Sequence, residues 1–169
     1  MIMKTTDLII RTYQEQDWPF VWAIIKPVFR SGETYAFSPD ITEEKAHIVW
    51  IEKPEITFVA VGGDEEILGT YYIKPNQPTL GAHVCNCGYI VAEKVRGRGI
   101  ASAMCEHSQR EAATRGYRAM QYNLVVLTND IAVQLWKKHG FEIIGTLPKS
   151  FRHARLGYVD AHLMYKQLV

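Results

Sequence analysis

Hydrophobic and polar positions change period several times along the chain, and each change marks an element. "TTDLIIRTYQ" (5–14) predicts an opening strand. "QEQDWPFVWAIIKPVFRSG" (14–32) has helical spacing, which Pro27 is expected to kink or divide. "TEEKAHIVWIEK" (42–53) predicts a short second helix, with Thr42 at its start, a loosely met capping box over Glu43 to Lys45, and Ala46, Val49 and Trp50 at helical intervals. Three extended runs follow, "EITFVAVGG", "EEILGTYYIKP" and "HVCNCGYIVA". Gly62, Gly63 and Asp64 turn the chain between the first two and "PNQPTLG" separates the next pair, so three neighbouring antiparallel strands are expected.

From 97 to 115 the period returns to helical, with Ile100, Met104, Cys105, Ser108 and Ala112 on one side and Gly116 placed to end it. "YRAMQYNLVVL" is apolar enough that both faces should be covered, which places it centrally. "NDIAVQLWKKHG" is a capped helix ending at Gly140; "FEIIGTL" and "GYVDAHLMYKQL" are closing strands. Strands with helices both early and between later strands describe an α/β domain with a mixed sheet. Repeats and linkers are absent, so one domain over residues 1–169 is expected.

Composition narrows the partners. The formal net charge is +1 with no block of one sign, so neither a nucleic-acid nor an anionic-membrane footprint is expected, and any anion site must be local. The start "MIMKTTDLIIRTY" lacks a signal-peptide pattern and no apolar span is long enough for a bilayer, so a soluble, cytoplasmic protein is expected. Three cysteines do not make a disulfide framework. Cys85 and Cys87 would be half a zinc site without a second pair, so no metal is expected.

The local anion site is "VRGRGIASAM" (95–104), which puts two glycines and two arginines between a strand and a helix. Glycines let the backbone turn tightly and approach a ligand, while the helix start aims free N–H groups and its positive dipole end outward. That combination suits phosphates. The Walker spacing is missing, and a dinucleotide fingerprint fails because Ser102 stands at its third glycine and "AEKV" intervenes after the strand.

Arg96, Gly99 and Ala101 spell R-x-x-G-x-A, which resembles the pyrophosphate loop of the GNAT superfamily of N-acetyltransferases. A second family element, an Asn at a helix start followed by Ala, Leu, an aromatic residue and Gly-Phe, is matched by Asn129, Ala132, Leu135, Trp136, Gly140 and Phe141. With "YNLV", the "GETY" loop and the ending "LPKSFRHARLGYVDAHLMYKQL", the chain is similar to the branch that contains fungal proline-analogue acetyltransferases and bacterial relatives.

The resemblance implies the GNAT fold: a mostly antiparallel mixed sheet of about seven strands, splayed between the fourth and fifth and flanked by about four helices. It implies acetyl-CoA as acyl donor, with its arm paired to the backbone of Tyr89, Ile90 and Val91 and its pyrophosphate cradled by Arg96, Gly97, Arg98, Gly99, Ile100, Ala101 and Ser102. Asn129, Ala132 and Trp136 would complete that site. The N–H near Val91 would stabilise charge on the thioester oxygen, a donor worth roughly 3 to 4 kcal/mol. Trp136 stands where many relatives place an acidic tyrosine, and indole cannot protonate a thiolate; Tyr122, Tyr158 or water would do so instead.

Glu33 is the candidate base, with an acceptor amine already partly neutral, or a water held by Asn123 and Asn86, as its alternatives. In the resembled branch the residue matching Asn123 contacts the acceptor. Tyr35, Asn86, Arg152, Arg155 and Tyr158 are further candidates there, the guanidinium groups of a late loop, "SFRHARLGYVD", suiting a carboxylate. The implied function is acetyl transfer to the amine of a small, amino-acid-like acceptor by direct attack. A protein or peptide N-acetyltransferase is an alternative, which the bulky Trp18, Tyr35 and Phe37 oppose; a noncatalytic acyl-CoA sensor is another. A homodimer is compatible with any of these.

Overall fold

The computed structural model describes residues 8–169. Strand β1 (Ile9–Thr12) is the opening strand, whose expected first residues, 5 to 7, lie outside the described ones. Helix α1 (Trp18–Ser31) follows a short 3-10 turn and ends at Gly32, whose φ of 63° only glycine adopts freely. Val21, Ile25 and Phe29 are sealed against the sheet, each contributing about 1.5–3 kcal/mol of burial. Pro27 does not divide the helix. It sits on the exposed face with Ala23, so the carbonyl deprived of an N–H partner by the proline faces water.

The second helical segment changes pitch midway. Helix α2 covers Glu43–His47, capped by Thr42 Oγ1 accepting from Lys45 N–H at 3.3 Å, and then widens into a π turn over Ile48–Glu52. Pro54 has no N–H to offer the Trp50 carbonyl, which accepts from the Thr57 hydroxyl at 2.7 Å instead. Trp50 is thereby fully buried, with Nε1 donating to Thr70 Oγ1 at 3.1 Å.

The remaining elements are β2 (Ile56–Val61), β3 (Ile67–Pro75), β4 (Val84–Val91), α3 (Ile100–Thr114), β5 (Ala119–Val126), α4 (Asp130–Lys138), β6 (Glu142–His153) and β7 (Gly157–Gln167). They form one seven-stranded sheet in the order β1-β2-β3-β4-β5-β7-β6. The β2-β3-β4 run is antiparallel as expected. Helix α3 buries the five residues its spacing singled out, and Gly69 on β3 leaves room for Met104 beneath it. One core lies under α3 and a second, rich in aromatics, lies under α1 and α2.

Besides Pro27, the sequence reading is corrected in two places. β6 is longer than "FEIIGTL": a bulge at Leu147–Phe151, with Lys149 at φ 50° and its N–H held by Asp160 Oδ1, lets "SFRH" rejoin the ladder instead of forming a loop. β5 is not covered on both faces either, because Asn123 is exposed where its neighbour β4 has left it.

Candidate active site

β4 and β5 form a parallel pair, and their ladder register covers only Val84–Ala119 and Cys85–Met120. Beyond Cys85 they separate, leaving a wedge that opens toward the end of β4. The ladder on the other side of β4 fixes which groups face it. Ala92 N–H donates to Leu68 C=O and Asn76 N–H donates to Val84 C=O, so the even-numbered residues of β4 bond to β3. The odd ones, Cys87, Tyr89 and Val91, therefore turn their N–H and C=O groups into the wedge, whereas Ile90, which the resemblance set beside Tyr89 and Val91, spends its main chain on β3. Tyr35 reaches that edge from the α1–α2 loop and donates its hydroxyl to Tyr89 C=O at 2.9 Å.

At the wide end lies the glycine turn. Gly97 and Gly99 have φ values of 77° and 82°, and a Cβ on either would meet nothing within 4 Å. Such a backbone is concave, glycine-dependent and open. The first bond into α3 runs from Ala103 N–H to Gly99 C=O at 3.0 Å, which leaves the N–H groups of 97 to 102 without a main-chain acceptor among the described residues. Arg96 and Arg98 flank them, both exposed. This turn fits a pyrophosphate by shape, donors and charge. Ser102 bonds His139 at 2.6 Å, tying the start of α3 to the end of α4. Asn129 caps α4 by accepting from Ala132 N–H at 3.4 Å.

Behind the wedge, on the α3 side, Trp136 is half-buried, with its ring 5.0 Å from that of Tyr89 and 5.1 Å from that of Tyr122. Tyr122 is buried, and its hydroxyl lies 2.9 Å from that of Tyr89, which in turn lies 2.7 Å from Ser108 Oγ. Ser108 spends its proton on Cys105 C=O at 2.8 Å. Tyr89 then donates to Ser108 and Tyr122 to Tyr89. Burial holds both phenols well above the ordinary tyrosine range.

The opposite face is lined by side chains. Asn86, which is 8% exposed, donates to Gln121 C=O at 3.0 Å; Gln121 donates to Asn123 Oδ1 at 3.0 Å, and Asn123 to Asn76 Oδ1 at 2.6 Å. Tyr72 lies against Gly88, where a Cβ would come within 2.7 Å of its ring. Lys74, the register partner of Asn86, holds its ammonium 5.2 Å from the centre of that ring. Glu33 is paired with Arg155 at 2.6 Å, joining the α1–α2 loop to the β6–β7 turn. A cavity of about 540 Å³ lies there, lined by Tyr35, Phe37, Phe151, Arg152 and His153. Arg152 and its register partner Tyr158 are exposed.

The fold thus brings the cofactor candidates to one turn and one strand edge, and brings Tyr35, Asn86 and Asn123 to one face. Glu33 and Arg155 are committed to each other at its rim. Sequence reasoning missed Cys87, Gly88, Tyr72 and Lys74. The two-residue period of β3 and β4 carried the signal, since it sets 72 and 74 beside 88 and 86 once the register is known.

A wedge between parallel neighbours, a backbone row facing into it and a glycine turn at its mouth define an acyl-CoA-binding transferase. Residues 15–141 match the acetyltransferase (GNAT) family, and the chain belongs to it: it is an N-acetyltransferase, and the family's acyl donor is acetyl-CoA. It is 39% identical to a GCN5-related N-acetyltransferase structure from Kribbella flavida, at a TM-score of 0.92 over 97% of this chain and 99% of that one. It is 26% identical to the L-amino acid N-acetyltransferase AaaT of Escherichia coli over 94% of this chain and 97% of that protein. N-acetyltransferase aca1 of Schizosaccharomyces pombe shares 31% identity over 65% of this chain, a match that spans about half, 53%, of the yeast protein. Among the described residues no helix is long and apolar enough to cross a membrane.

Proposed function

We propose that this chain transfers the acetyl group of acetyl-CoA to the amine of a small, amino-acid-like acceptor, by direct attack with both substrates bound. The observation that carries this reading is the row Cys87–Tyr89–Val91, which has no strand partner on the wedge side and runs from the glycine turn to the point where β4 and β5 join. The N–H groups of 97 to 102, with Arg96 and Arg98, hold the diphosphate at the mouth. Tyr89 and Val91 pair with the amides of the arm as an added strand would. Trp136 walls the wedge behind them, and Asn129 and Ala132 fix the start of α4 alongside.

When bound, acetyl-CoA supplies the activated thioester. The chain's part is to place a donor at its carbonyl oxygen. Val91 lies nearest the mouth, whereas the polar side chains of the acceptor face gather around Asn86, at the closed end. We therefore assign the donor role to Cys87 N–H, four residues or roughly 13 Å deeper along the strand than Val91. Tyr35, Asn86 and Asn123 form the acceptor's surroundings. Glu33, held by Arg155, closes the rim, and Arg152 is the exposed cation of the adjoining cavity.

Tyr122 donates into the Tyr89–Ser108 chain, so the departing thiolate takes its proton from water. A thiol of pKa about 8.5 tolerates this. The resemblance to an L-amino acid N-acetyltransferase along nearly the whole chain supports the acceptor class. The test is thiol release from acetyl-CoA with amino acids, proline analogues, simple amines and peptides side by side. Turnover of the amino acids is expected. Turnover of peptides alone, or of nothing, overturns the reading.

A further inference from the structure

Lys74 is a cation on the acceptor face near the closed end of the wedge, and among the described residues it forms no ion pair. It is half-buried, its ammonium rests on the Tyr72 ring, and its strongest charged neighbour is another lysine, Lys53. Withdrawal from water and that like charge push it below the ordinary lysine range. A partly desolvated ammonium without a counter-ion is costly unless a ligand completes it. On the side toward the wedge its neighbours are neutral: the Tyr72 ring, which covers Gly88, and Asn86 across the ladder.

Asn86 adds a direction. Its Nδ2 donates one hydrogen to Gln121 C=O, and its Oδ1 has no partner among the described residues. The amide is oriented by the backbone of β5, so its free oxygen is a fixed acceptor. Lys74 and Asn86 are cross-strand partners on one face, whose Cβ atoms lie about 4.5–5.5 Å apart. An α-amino acid carries its nitrogen and its carboxylate two bonds apart, so an amine seated at Asn86 brings its carboxylate toward the side chain that neighbours Asn86 on this face.

We propose that Lys74 binds the α-carboxylate of the acceptor while Asn86 Oδ1 receives a hydrogen of its amine, so that the site selects α-amino acids over amines lacking an adjacent carboxylate. This rests on the small-acceptor reading above. It moves the carboxylate contact from Arg155, which Glu33 already holds, to a residue one ladder position from the Cys87 N–H. Lys74 is a specificity residue here, and no chemical step passes through it.

The experiment compares an α-amino acid with its carboxamide as acceptors for the full chain, in the wild type, Lys74→Met and Lys74→Arg. Met keeps the apolar stem over Tyr72 and removes the charge. The expected result is a KM for the amino acid raised at least tenfold in Lys74→Met, partly restored in Lys74→Arg, with the carboxamide and acetyl-CoA values within twofold of wild type. A second measurement needs no variant: the corresponding carboxylic acid without the amine should inhibit the wild type competitively against the amino acid, and its primary amide should not. Equal changes for amino acid and carboxamide, or inhibition by neither compound, overturns the assignment while leaving acetyl transfer intact. A wild type that acetylates no small amine overturns the acceptor reading and this inference together.

Discussion

The two halves of the site are built from different materials. The cofactor half is main chain: six successive N–H groups at a glycine turn and three more along one strand edge. The acceptor half is side chain: Tyr35 from a loop, Tyr72 and Lys74 from β3, Asn76 from the turn after it, Asn86 from β4, Asn123 from β5. A main-chain site needs only a permissive local conformation, so a short run of sequence can encode it. A side-chain site needs several elements in register, so it can be retuned for another acceptor without touching the donor's cradle.

The largest effect expected from this division is on the turn. In Gly99→Val, a β-branched residue forced to a φ of 82° pays about 1–2 kcal/mol or more and puts its side chain into the cradle. Coenzyme A should bind at least about 100-fold more weakly, roughly 2.7 kcal/mol by calorimetry, while circular dichroism stays native. A loss of fold in place of a loss of affinity would mean that the turn holds the frame rather than the donor.

Gly88→Ala strikes the other half. Its Cβ would displace Tyr72, the platform of Lys74, at an overpacking cost of about 1–3 kcal/mol. Acceptor KM should rise about tenfold and coenzyme A affinity should stay within about threefold of wild type; equal damage to both would erase the distinction between the halves.

Arg11→Met belongs to neither half and changes stability alone. Arg11 grips the buried carboxylate of Asp17 at 2.7 and 2.8 Å, and that bond holds Asp17 below the ordinary carboxylate range. A depressed carboxyl contributes stability that is fully present above its unfolded value, about 3.9, and is lost as pH falls through the folded value. The variant should unfold about 1–3 kcal/mol more easily in urea at neutral pH, and the gap to wild type should close on acidification below about pH 4. Kinetic constants at neutral pH should not move. The smallest effect is expected from Tyr122→Phe, which removes the first donor of a buried hydroxyl chain: about 1 kcal/mol of stability and a kcat within about threefold of wild type. A hundredfold fall in kcat would instead make Tyr122 the proton donor.

Where the sequence reading departed from the structure, the missing information was tertiary. The helical period of α1 was legible, but that Pro27 falls on its wet face depends on what covers the other side. The apolar run of β5 predicted burial at Asn123, yet the ladder with the strand beside it ends at Met120, and no property of "YNLV" contains that. "SFRH" looked like a loop because Pro148 and Lys149 break the alternation, and only pairing with β7 restores the strand.

The sequence by itself determined the order of elements, the five buried residues of α3, the glycine turn and the family those residues define. These are local properties, set by period, by caps and by the freedom of glycine to take positive φ. Tertiary structure alone decided which edge of β4 is unpaired, that Glu33 and Arg155 are spent on each other, and that Lys74 stands opposite Asn86 without a counter-ion. The reason is that strand register and charge pairing are relations between segments far apart in the chain, fixed only when the sheet assembles.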